Sequence, residues 1–449
     1  MLQEEKPMNY EQALAYIHSH KRFCGAPTLE RMRTLMQMLN NPQNALKFIH
    51  IAGTNGKGST TAMAANVLSC AGYKTGRYVS PFVLCFCERM QVNNKMISET
   101  ELAALAGEVK LCENEMAKGG EHCRPTEFEV VTAIAFLWFA KMRCDIVCLE
   151  VGLGGRFDAT NIISPPLVQV ITAISLDHTN VLGASVEQIA FEKCGIIKGG
   201  VTVCYPLQDT GALAVIMEQC ASHLSTLIKP NAAAVVQLSK SFFAPHFIYG
   251  ELDITPALLG EHQIYNAITA SEACRALTAH GFAVTDDNIR SGISSTAFPA
   301  RLELLCKSPL VLLDGAHNPG GAAALEQALL TLKAEGCGEI TVLMGMLEDK
   351  DWQHSAERIA RCADSFIGIT PDNPRALSGE ALAQHAGRFC KHTNAGKPLT
   401  VEATAQKLTL LRKAGGALIV CGSLYLAAQL RPTLLNALVQ NGAELPPKT

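Results

Sequence analysis

The feature that most constrains the fold of this chain is a repeated alternation between short apolar runs and longer helical patterns. Helical segments separate runs rich in β-branched residues at 48–52, 146–151, 168–174 and 201–205. Strands that are apolar almost throughout and are separated by helices indicate a parallel sheet with both faces covered. The sequence therefore predicts an α/β fold that begins with a parallel-rich sheet.

The alternation restarts toward the C-terminus. Helical segments again separate short apolar runs at 310–313, 340–344, 366–369 and 417–420. Between the two series lies a Ser-rich, weakly patterned stretch at 294–301, which contains Pro299. We therefore predict a first α/β domain over residues 1–298 and a second, smaller α/β domain over residues 299–449.

Composition narrows the class of protein. The 449 residues are 48% hydrophobic and 18% charged, which is typical of folded domains and argues against long disordered segments. Lys and Arg total 38 and Asp and Glu total 41, so the formal net charge is −3. A chain of this charge lacks the strong positive field of non-specific nucleic-acid binders, so we expect no nucleic-acid partner. One local site can still bind a small anion.

The cysteines and the N-terminus indicate a compartment. The 17 cysteines are odd in number and scattered from Cys24 to Cys421, which favours reduced, space-filling thiols over a disulfide framework. Residues 1–10 are polar and acidic, unlike a targeting signal. The longest apolar stretch, 130–140, has 11 residues, whereas a membrane span needs about 20. We expect a soluble cytoplasmic protein without a membrane partner.

A glycine-rich segment follows the first predicted strand and opens a helix predicted over residues 59–70. It consists of Gly53, Thr54, Asn55, Gly56, Lys57, Gly58, Ser59 and Thr60. In this context glycines let backbone N–H groups approach phosphate oxygens, and the helix N-terminus adds partial positive charge. Lys57 can reach the outer phosphates, and the hydroxyl of Ser59 or Thr60 can bind Mg²⁺. We therefore predict that this segment binds ATP.

Both glycine-rich segments of the chain depart from the standard nucleotide-binding patterns. In the first, Ile51 stands where the strict P-loop has a glycine, and Gly58 separates Lys57 from the hydroxyl residues. In the second, at 150–161, position 157 is Phe, so the third glycine of a dinucleotide fingerprint is missing. A dinucleotide cofactor is therefore poorly supported.

The variant loop Gly-Thr-Asn-Gly-Lys-Gly-Ser resembles that of the ATP-dependent Mur ligase superfamily. Within it, the chain is similar to the folylpolyglutamate synthases, including the related dihydrofolate synthases. The resemblance implies that the domain over residues 1–298 is a P-loop-type ATPase domain and that the domain over residues 299–449 is a Rossmann-like α/β ligase domain. The resemblance continues through Glu-Val-Gly-Leu-Gly-Gly-Arg at 150–156, Ile-Ser-Leu-Asp-His-Thr-Asn at 174–180, Glu-Lys-Cys-Gly-Ile at 192–196, His-Gln-Ile-Tyr-Asn at 262–266, Pro-Ala-Arg-Leu-Glu at 299–303 and Asp-Gly-Ala-His-Asn-Pro at 314–319. Three positions depart from the family's motifs: Phe82 replaces His, Cys194 replaces Ala and Ala300 replaces Gly.

The resemblance implies that two Mg²⁺ ions bind with ATP. Their protein ligands would be Ser59, Glu150 and His178, together with Lys193 in a form carbamylated by CO₂. A carbamate turns the lysine cation into an anion that helps to hold a metal ion. The alternative is an ordinary Lys193 that pairs with a phosphate, and Lys198 is a competitor for the carbamate.

The resemblance also implies nucleotide contacts from more distant residues, namely Gln263, Asn266, Arg301, Asp314 and His317. The Arg301 guanidinium would hold ATP phosphates through bidentate hydrogen bonds. Because several of these residues lie beyond the predicted domain boundary, we expect the ATP site in a cleft between the domains. The expected catalytic residues are Lys57, His178, Lys193 and Arg301.

The reaction that the resemblance implies joins L-glutamate to a folate or to dihydropteroate. A substrate carboxylate attacks the γ-phosphorus of ATP, and the glutamate amine then displaces phosphate from the acyl phosphate. The implied substrate-binding residues are Ser80, Pro81, Thr126, Phe128 and Arg156. The residues leave open whether the substrate is tetrahydrofolate, dihydropteroate or both.

Two other functions remain as alternatives. A cell-wall Mur-type amino acid ligase would share the loop and the metal chemistry, but the phosphate loop begins at Gly53, which leaves little room for a separate nucleotide-sugar domain before it. A P-loop ATPase that serves only as a binding module would not need Glu150, His178 and Lys193 together. We expect the protein to act as a monomer.

Overall fold

The computed structural model describes residues 8–21, 28–396 and 400–443. Contacts divide the chain into two compact units. Unit 1 comprises Met1–Ile174, Leu182–Ala232 and Asn266–Ile293, and unit 2 comprises Ser175–Val181, Ala233–Tyr265 and Ser294–Thr449. The domain boundary between residues 298 and 299 stays a prediction.

An eight-stranded sheet forms the centre of unit 1. Its strands are β1 (Phe48–Ala52), β2 (Thr75–Tyr78), β3 (Met90–Val92), β4 (Lys95–Met96), β5 (Ile146–Glu150), β6 (Val168–Ile171), β7 (Gly200–Cys204) and β8 (Ser225–Ile228). Their order is β4-β3-β2-β5-β1-β6-β7-β8, antiparallel from β4 to β2 and parallel from β2 to β8. The parallel-rich sheet and the α/β class are therefore confirmed.

Helices cover this sheet. The helices up to residue 294 are α1 (Tyr10–His18), α2 (Glu30–Met38), α3 (Lys57–Cys70), α4 (Glu99–Met116), α5 (Glu127–Lys141), α6 (Thr179–Leu182), α7 (Val186–Cys194), α8 (Thr210–Ser222), α9 (His262–Ala276) and α10 (Asp286–Ser294). One apolar cluster joins α1, α2, α4 and α5 to strand residues such as Phe48 and Val147. A second joins α7 and α8 to Ala52 and Ile171. Burial of strands in both clusters explains their nearly continuous apolar sequences.

Unit 2 holds two further sheets. A three-stranded antiparallel sheet contains β9 (Val235–Ser239), β10 (His246–Tyr249) and β11 (Leu252–Ile254). A six-stranded sheet contains β12 (Glu303–Lys307), β13 (Leu310–Leu313), β14 (Ile340–Met344), β15 (Ser365–Ile369), β16 (His392–Gly396) and β17 (Ala417–Cys421). Its order is β12-β13-β17-β14-β15-β16, and only the β12–β13 pair is antiparallel. The remaining helices are α11 (Pro319–Ala334), α12 (Trp352–Cys362), α13 (Gly379–Ala386), α14 (Val401–Lys413) and α15 (Leu424–Gln440).

Some predicted elements have different ends in the structure. The helix predicted from residue 59 begins at Lys57, directly after Gly56, whose φ of +84° ends the preceding loop. The strand predicted over 168–174 ends at Ile171, because the chain then turns to meet the phosphate loop at Ala173. No helix in the described ranges is both long enough and apolar enough to cross a membrane. The cysteines in those ranges are free thiols and most are buried, whereas Cys24 lies outside them.

A buried carboxylate fixes the N-terminal segment on α4. Glu113 accepts hydrogen bonds from Tyr16 Oη (2.6 Å), Arg124 Nη1 (2.6 Å) and His20 Nε2 (3.0 Å). The other ring nitrogen of His20 faces the carbonyl oxygens of Tyr16 and Ile17 at 2.9 and 3.1 Å. Because both nitrogens face acceptors, the protonated ring satisfies them together. Burial alone would lower the pKa of His20, but Glu113 raises it.

We expect Glu113→Gln to lower the free energy of unfolding by about 3 kcal/mol at pH 6, because the change leaves the buried His20 cation without its carboxylate partner. Burial would raise the pKa of Glu113, but hydrogen bonds from His20, Tyr16 and Arg124 lower it to about 2. The carboxylate therefore stabilises the fold above its ordinary pKa, and this contribution is lost as the pH falls toward 2.

Urea unfolding of the wild type and the variant at pH 6 and pH 3 measures this effect. The raised pKa of His20 contributes fully below the ordinary value of 6.5, so the difference in stability is expected to be smaller at pH 3, where only the contribution of the carboxylate has decreased. Glu115→Gln is the control, since Glu115 lies on the same helix and pairs with Lys118 at the surface. An exposed pair of this kind contributes at most about 1 kcal/mol. Equal losses in the two variants would show that the buried cluster does not anchor α1.

Candidate active site

The phosphate loop connects β1 to α3. The N–H groups of Thr54 and Asn55 donate to the Ala173 carbonyl at 2.9 and 3.1 Å, which holds the loop against the end of β6. Lys57 is the first residue of α3, and its Nζ donates to the Thr54 carbonyl at 3.2 Å. The first N–H groups of a helix have no partner within the helix and attract anions. The loop therefore presents a lysine and a helix N-terminus at one point.

Asn266 of α9 lies against this loop. Asn266 is 2% exposed, and a Cβ atom added at Gly56 would overlap its side-chain Oδ1. Gly56 also has a φ of +84°, a conformation that glycine adopts without strain. Both the backbone conformation and the lack of space therefore require glycine here. The space is taken by Asn266, which is a predicted nucleotide contact. Gln263, also predicted, belongs to unit 2 and is 1% exposed.

Glu150 is the last residue of β5, where its neighbour in the register of β1 is Ile51. Its carboxylate is 4% exposed, and Oε2 accepts the N–H of Ser80 at 3.1 Å. The strand end thus places an acid beside the phosphate loop and joins it to a predicted substrate residue. The ring of Phe128 fills the space next to Gly152, so a Cβ there would overlap it.

The segment after Glu150 is held from within. Asp158 accepts the N–H groups of Leu153 at 2.9 Å and Thr160 at 3.0 Å. Asn161 Nδ2 donates to the carbonyls of Arg156 and Gly195, each at 3.0 Å. These bonds explain why the Asp-Ala-Thr-Asn part of the motif has its polar residues: they shape the loop.

The glycine-rich segment and the end of α7 interlock. A Cβ at Gly155 would lie 2.6 Å from the Lys193 carbonyl oxygen, and one at Gly195 would overlap the backbone of Arg156. The Arg156 N–H donates to the Glu192 carbonyl at 2.9 Å. The Arg156 guanidinium stacks on Phe191, 4.1 Å from the ring centroid. Two motifs separated in sequence thus pack backbone to backbone.

This packing brings Lys193 to the phosphate loop. Its side chain is buried, and Nζ donates to the Gly53 carbonyl at 2.8 Å. Lys198 lies elsewhere: its Nζ donates to the carbonyls of Asn161 and Ile163 at 2.7 and 2.8 Å. Burial, together with the charge of nearby Arg33, lowers the pKa of Lys198 to about 8. Of the two lysines considered for the carbamate, Lys193 is the one that contacts the loop.

In unit 2, Asp177 connects three side chains. Lys350 Nζ lies 2.7 Å from Oδ1, and Asn318 Nδ2 donates to Oδ2 at 2.8 Å. Lys350 Nζ also lies 3.3 Å from His178 Nε2. Burial would raise the pKa of Asp177, but the ammonium of Lys350 holds it well below its ordinary value. Lys350 was not predicted from the sequence, since Glu-Asp-Lys-Asp at 348–351 resembles an ordinary charged turn.

The other predicted residues of unit 2 surround the end of β13. Asp314 accepts the N–H groups of Leu302 and Ala316, each at 2.8 Å, and so shapes the loop that carries Arg301. Ala300 has a φ of +52°, a left-handed conformation in which alanine is strained and the family's glycine is not.

His317 lies next to this loop. Its Nδ1 is 2.8 Å from the Gly315 carbonyl, and its Nε2 is 4.0 Å from Asp177 Oδ2. Burial and the charge of Lys350 lower the pKa of His317 to about 4, so the ring is neutral at pH 7.

The structure shows what surrounds the other residues that differ from the family's motifs and several of the predicted substrate residues. Cys194 is fully buried in the apolar cluster of α7 and α8, which suits a small residue. Thr126 caps α5: its Oγ1 accepts the Glu129 N–H at 3.3 Å. The Ser80–Pro81 peptide is cis. The ring of Phe82 packs 5.6 Å from that of Phe86.

The donors near the loop fit a magnesium ion. Thr60 Oγ1 is buried at the start of α3 without a hydrogen-bond partner, and Glu150 adds a carboxylate from the neighbouring strand end. Hydroxyl and carboxylate oxygens are the ligands that Mg²⁺ prefers, alongside substrate phosphates and water. Among the described residues, no group of three or more His, Cys, Asp and Glu could hold a metal alone.

The predicted residues thus form two sets. In unit 1 the structure joins the phosphate loop to Lys193 and Asn266, and Glu150 to Ser80. In unit 2 it groups His178 with Lys350 around Asp177. That the two sets close on one nucleotide stays a prediction.

Comparisons with known proteins follow the same division. Residues 51–274 match the Mur ligase middle domain, and residues 300–424 match the Mur ligase glutamate ligase domain. The chain is 35% identical to the dihydrofolate synthase/folylpolyglutamate synthase of Bacillus subtilis, with 95% of this chain and 99% of the relative covered. It is 34% identical to the folylpolyglutamate synthase of Lacticaseibacillus casei, with 96% and 99% covered.

Solved structures agree with these relatives. The folylpolyglutamate synthase of Mycobacterium tuberculosis complexed with ADP superposes with a TM-score of 0.84 at 31% identity, covering 95% of this chain and 98% of that one. Escherichia coli FolC in complex with DHPP and ADP gives 0.81 at 28% identity, covering 95% and 97%. The similarity therefore spans nearly all of this chain and nearly all of each relative.

Proposed function

The chain belongs to the folylpolyglutamate synthase and dihydrofolate synthase family of Mur ligases, and on that premise we propose how it acts. It is an ATP-dependent ligase of folate metabolism. Our proposal is that it adds L-glutamate both to tetrahydrofolates and to dihydropteroate. The observation that carries the assignment of the site is the bond from Lys193 to the first residue of the phosphate loop.

The proposed reaction has two steps. A carboxylate oxygen of the folate attacks the γ-phosphorus of ATP, which forms an acyl phosphate and releases ADP. The amine of L-glutamate then attacks the acyl carbon, phosphate leaves with the electron pair of the broken C–O bond, and the amine loses a proton. The product is an amide of glutamate. Phosphoryl transfer needs positioning and charge neutralisation more than covalent help from the protein.

The chain's own residues supply that positioning. Lys57 and the N-terminus of α3 would bind the phosphates, and Arg301 would neutralise charge that develops on the transferred group. Lys193 would react as the free amine with CO₂ to give a carbamate and a proton. Its burial beside Gly53 supports this role, since the anion would form next to the loop. Bound Mg²⁺ would neutralise phosphate charge, with Ser59 or Thr60, Glu150 and His178 as its protein ligands.

The relatives do not support the two alternative functions, because those that match 95% and 96% of this chain are named as dihydrofolate or folylpolyglutamate synthases. The proposal includes a monomeric enzyme in the cytoplasm, and gel filtration tests the first of these statements.

An assay of ADP release tests the proposed reaction. With ATP, Mg²⁺ and L-glutamate present, we expect ADP release when dihydropteroate is added and also when tetrahydrofolate is added. Release should fall to background when L-glutamate or the folate substrate is left out. Product mass should increase by one glutamate residue. Release with dihydropteroate alone would restrict the enzyme to the first addition of glutamate. Release that needs neither glutamate nor a folate would contradict the ligase assignment.

A further inference from the structure

An arginine without an acidic partner lies beside the predicted substrate residues of unit 1. The Arg89 guanidinium carbon is 5.3 Å from the ring centroid of Phe82 and 5.2 Å from that of Phe86. Its Nε is buried and has no hydrogen-bond partner. No carboxylate in the described part of the chain pairs with it. The residue as a whole is half-buried, so part of it is open to solvent.

The surrounding loop is held in place by the neighbouring residue. Glu88 Oε2 accepts the N–H groups of Val83 and Leu84 at 2.9 and 2.6 Å. The Arg89 carbonyl accepts the Val79 N–H at 3.0 Å. The guanidinium therefore projects from a segment whose backbone is already bonded, so little ordering would be needed when a ligand arrives.

The position of Arg89 links it to the predicted substrate site. Arg89 precedes Met90, which pairs with Tyr78 in the register of β2 and β3, and the Arg89 carbonyl bonds the Val79 N–H. The Tyr78 ring lies 6.1 Å from that of Phe128, and the chain continues from Tyr78 to Ser80, whose N–H binds Glu150. Arg89 thus lies next to the segment 79–82, which carries two of the residues expected to bind the folate.

We propose that Arg89 hydrogen-bonds the edge of the pteridine ring that carries the 4-oxo group and N5. A guanidinium presents parallel N–H donors, which match two adjacent acceptors in one plane. A 7,8-dihydropterin offers both acceptors, whereas in a tetrahydropterin N5 carries a hydrogen and only the oxo group accepts. The residue therefore favours dihydropteroate over tetrahydrofolate. This inference rests on the proposed function, because it assumes a folate substrate.

A carboxylate would offer the same pair of acceptors. The ring is favoured because Phe82 and Phe86 surround the guanidinium with aromatic surface, which suits a fused heterocycle better than a hydrated carboxylate. The two sources can be separated experimentally, since p-aminobenzoylglutamate keeps the carboxylates of a folate and lacks the pteridine.

Equilibrium binding tests the assignment. Dihydropteroate, tetrahydrofolate and p-aminobenzoylglutamate are titrated into the full-length protein with AMPPCP and without glutamate. We expect Arg89→Met to weaken dihydropteroate binding by about 10- to 100-fold, in line with loss of a charged bidentate contact. Tetrahydrofolate should lose less, and p-aminobenzoylglutamate should be unaffected. Arg89→Lys should lose most of the preference for dihydropteroate, because a lysine lacks the planar fork.

A matched control is Arg361→Met. Arg361 also stacks on a phenylalanine, at 4.8 Å from the Phe389 ring, but it pairs with Glu357 at 2.7 Å. Its loss should leave all three affinities unchanged. Equal losses for dihydropteroate and p-aminobenzoylglutamate in Arg89→Met would assign Arg89 to a carboxylate and overturn the proposal. If Arg89→Met fails to fold, unchanged binding by Arg89→Lys would overturn it equally.

Failure of this inference differs from failure of the proposed function. A wild-type enzyme that shows glutamate-dependent ADP release, with Arg89 variants that bind every ligand normally, removes only the role of Arg89. A wild-type enzyme without folate-dependent release removes the proposed function itself.

Discussion

Replacing Lys193 with alanine is expected to lower the rate of glutamate-dependent ADP release by about 100- to 1,000-fold, the usual cost of losing one preorganised charged group in an active site. The Lys193 side chain is buried and bonds the Gly53 carbonyl, so its loss removes both the proposed carbamate and a contact that holds the phosphate loop. Steady-state rates with saturating ATP measure the effect.

Two observations separate a carbamate from an ordinary lysine. Short carboxylates such as acetate or formate, or high bicarbonate, should partly restore the rate of Lys193→Ala by supplying an anion. A carbamate signal from ¹³C-labelled bicarbonate should appear in the NMR spectrum of the wild type and disappear in the variant. Lys198→Ala is the control, since Lys198 bonds only the Asn161 and Ile163 carbonyls among the described contacts. It should keep the signal, and full activity of Lys193→Ala would remove the carbamate from the mechanism.

Gly56→Ala is expected to weaken binding of AMPPCP by about 100-fold, because small displacements of a positioning loop have effects of that size. The new Cβ would overlap the Asn266 side chain, and alanine is also strained at a φ of +84°. The loop or the Asn266 side chain must move to relieve the overlap, and either movement displaces a predicted nucleotide contact. Isothermal titration of the variant with AMPPCP and Mg²⁺ measures the loss.

Gly72→Ala separates the overlap from the backbone strain. Gly72 lies just after α3 with a φ of +89°, but nothing lies within 4 Å of the position that its Cβ would occupy. The substitution should cost about 1 kcal/mol of stability and leave nucleotide affinity unchanged. If the two variants bind AMPPCP equally well, the contact between Gly56 and Asn266 does not shape the site.

The sequence predicted the buried strands that are also apolar almost throughout. The bounds of β1, β13 and β14 match their apolar runs, because continuous apolar sequence leaves a clear signal. The strands that were not predicted are β2, β3, β4, β8, β12, β16 and the sheet of β9 to β11, and β2 is fully buried although its sequence, Thr-Gly-Arg-Tyr, is not an apolar run. Exposed and half-buried residues alternate in β9, as at Val236 and Leu238, so no apolar run marks these strands.

In the candidate site, residues that are close together in the sequence could be predicted, and residues that meet only in the folded chain could not. The phosphate loop could be predicted because glycine, lysine and hydroxyl residues stand within eight positions. Lys350 could not, since it meets Asp177 across 173 positions and lies in a segment that resembles a solvent-exposed turn. Arg89 was missed for a similar reason. That an arginine lies between aromatic rings and has no carboxylate of the described residues beside it can be seen only in the folded chain.

The interlock of Gly155 with the end of α7 has a consequence for how this enzyme can change. Each backbone occupies the space that a side chain on the other would need, so neither segment can accept a larger residue independently. Glu150 precedes the first of these segments, and Lys193 belongs to the end of α7. A movement of one segment therefore requires a movement of the other. We therefore expect the distance between Glu150 and Lys193 to tolerate little change, and we expect substitutions that alter substrate preference to lie outside these two segments.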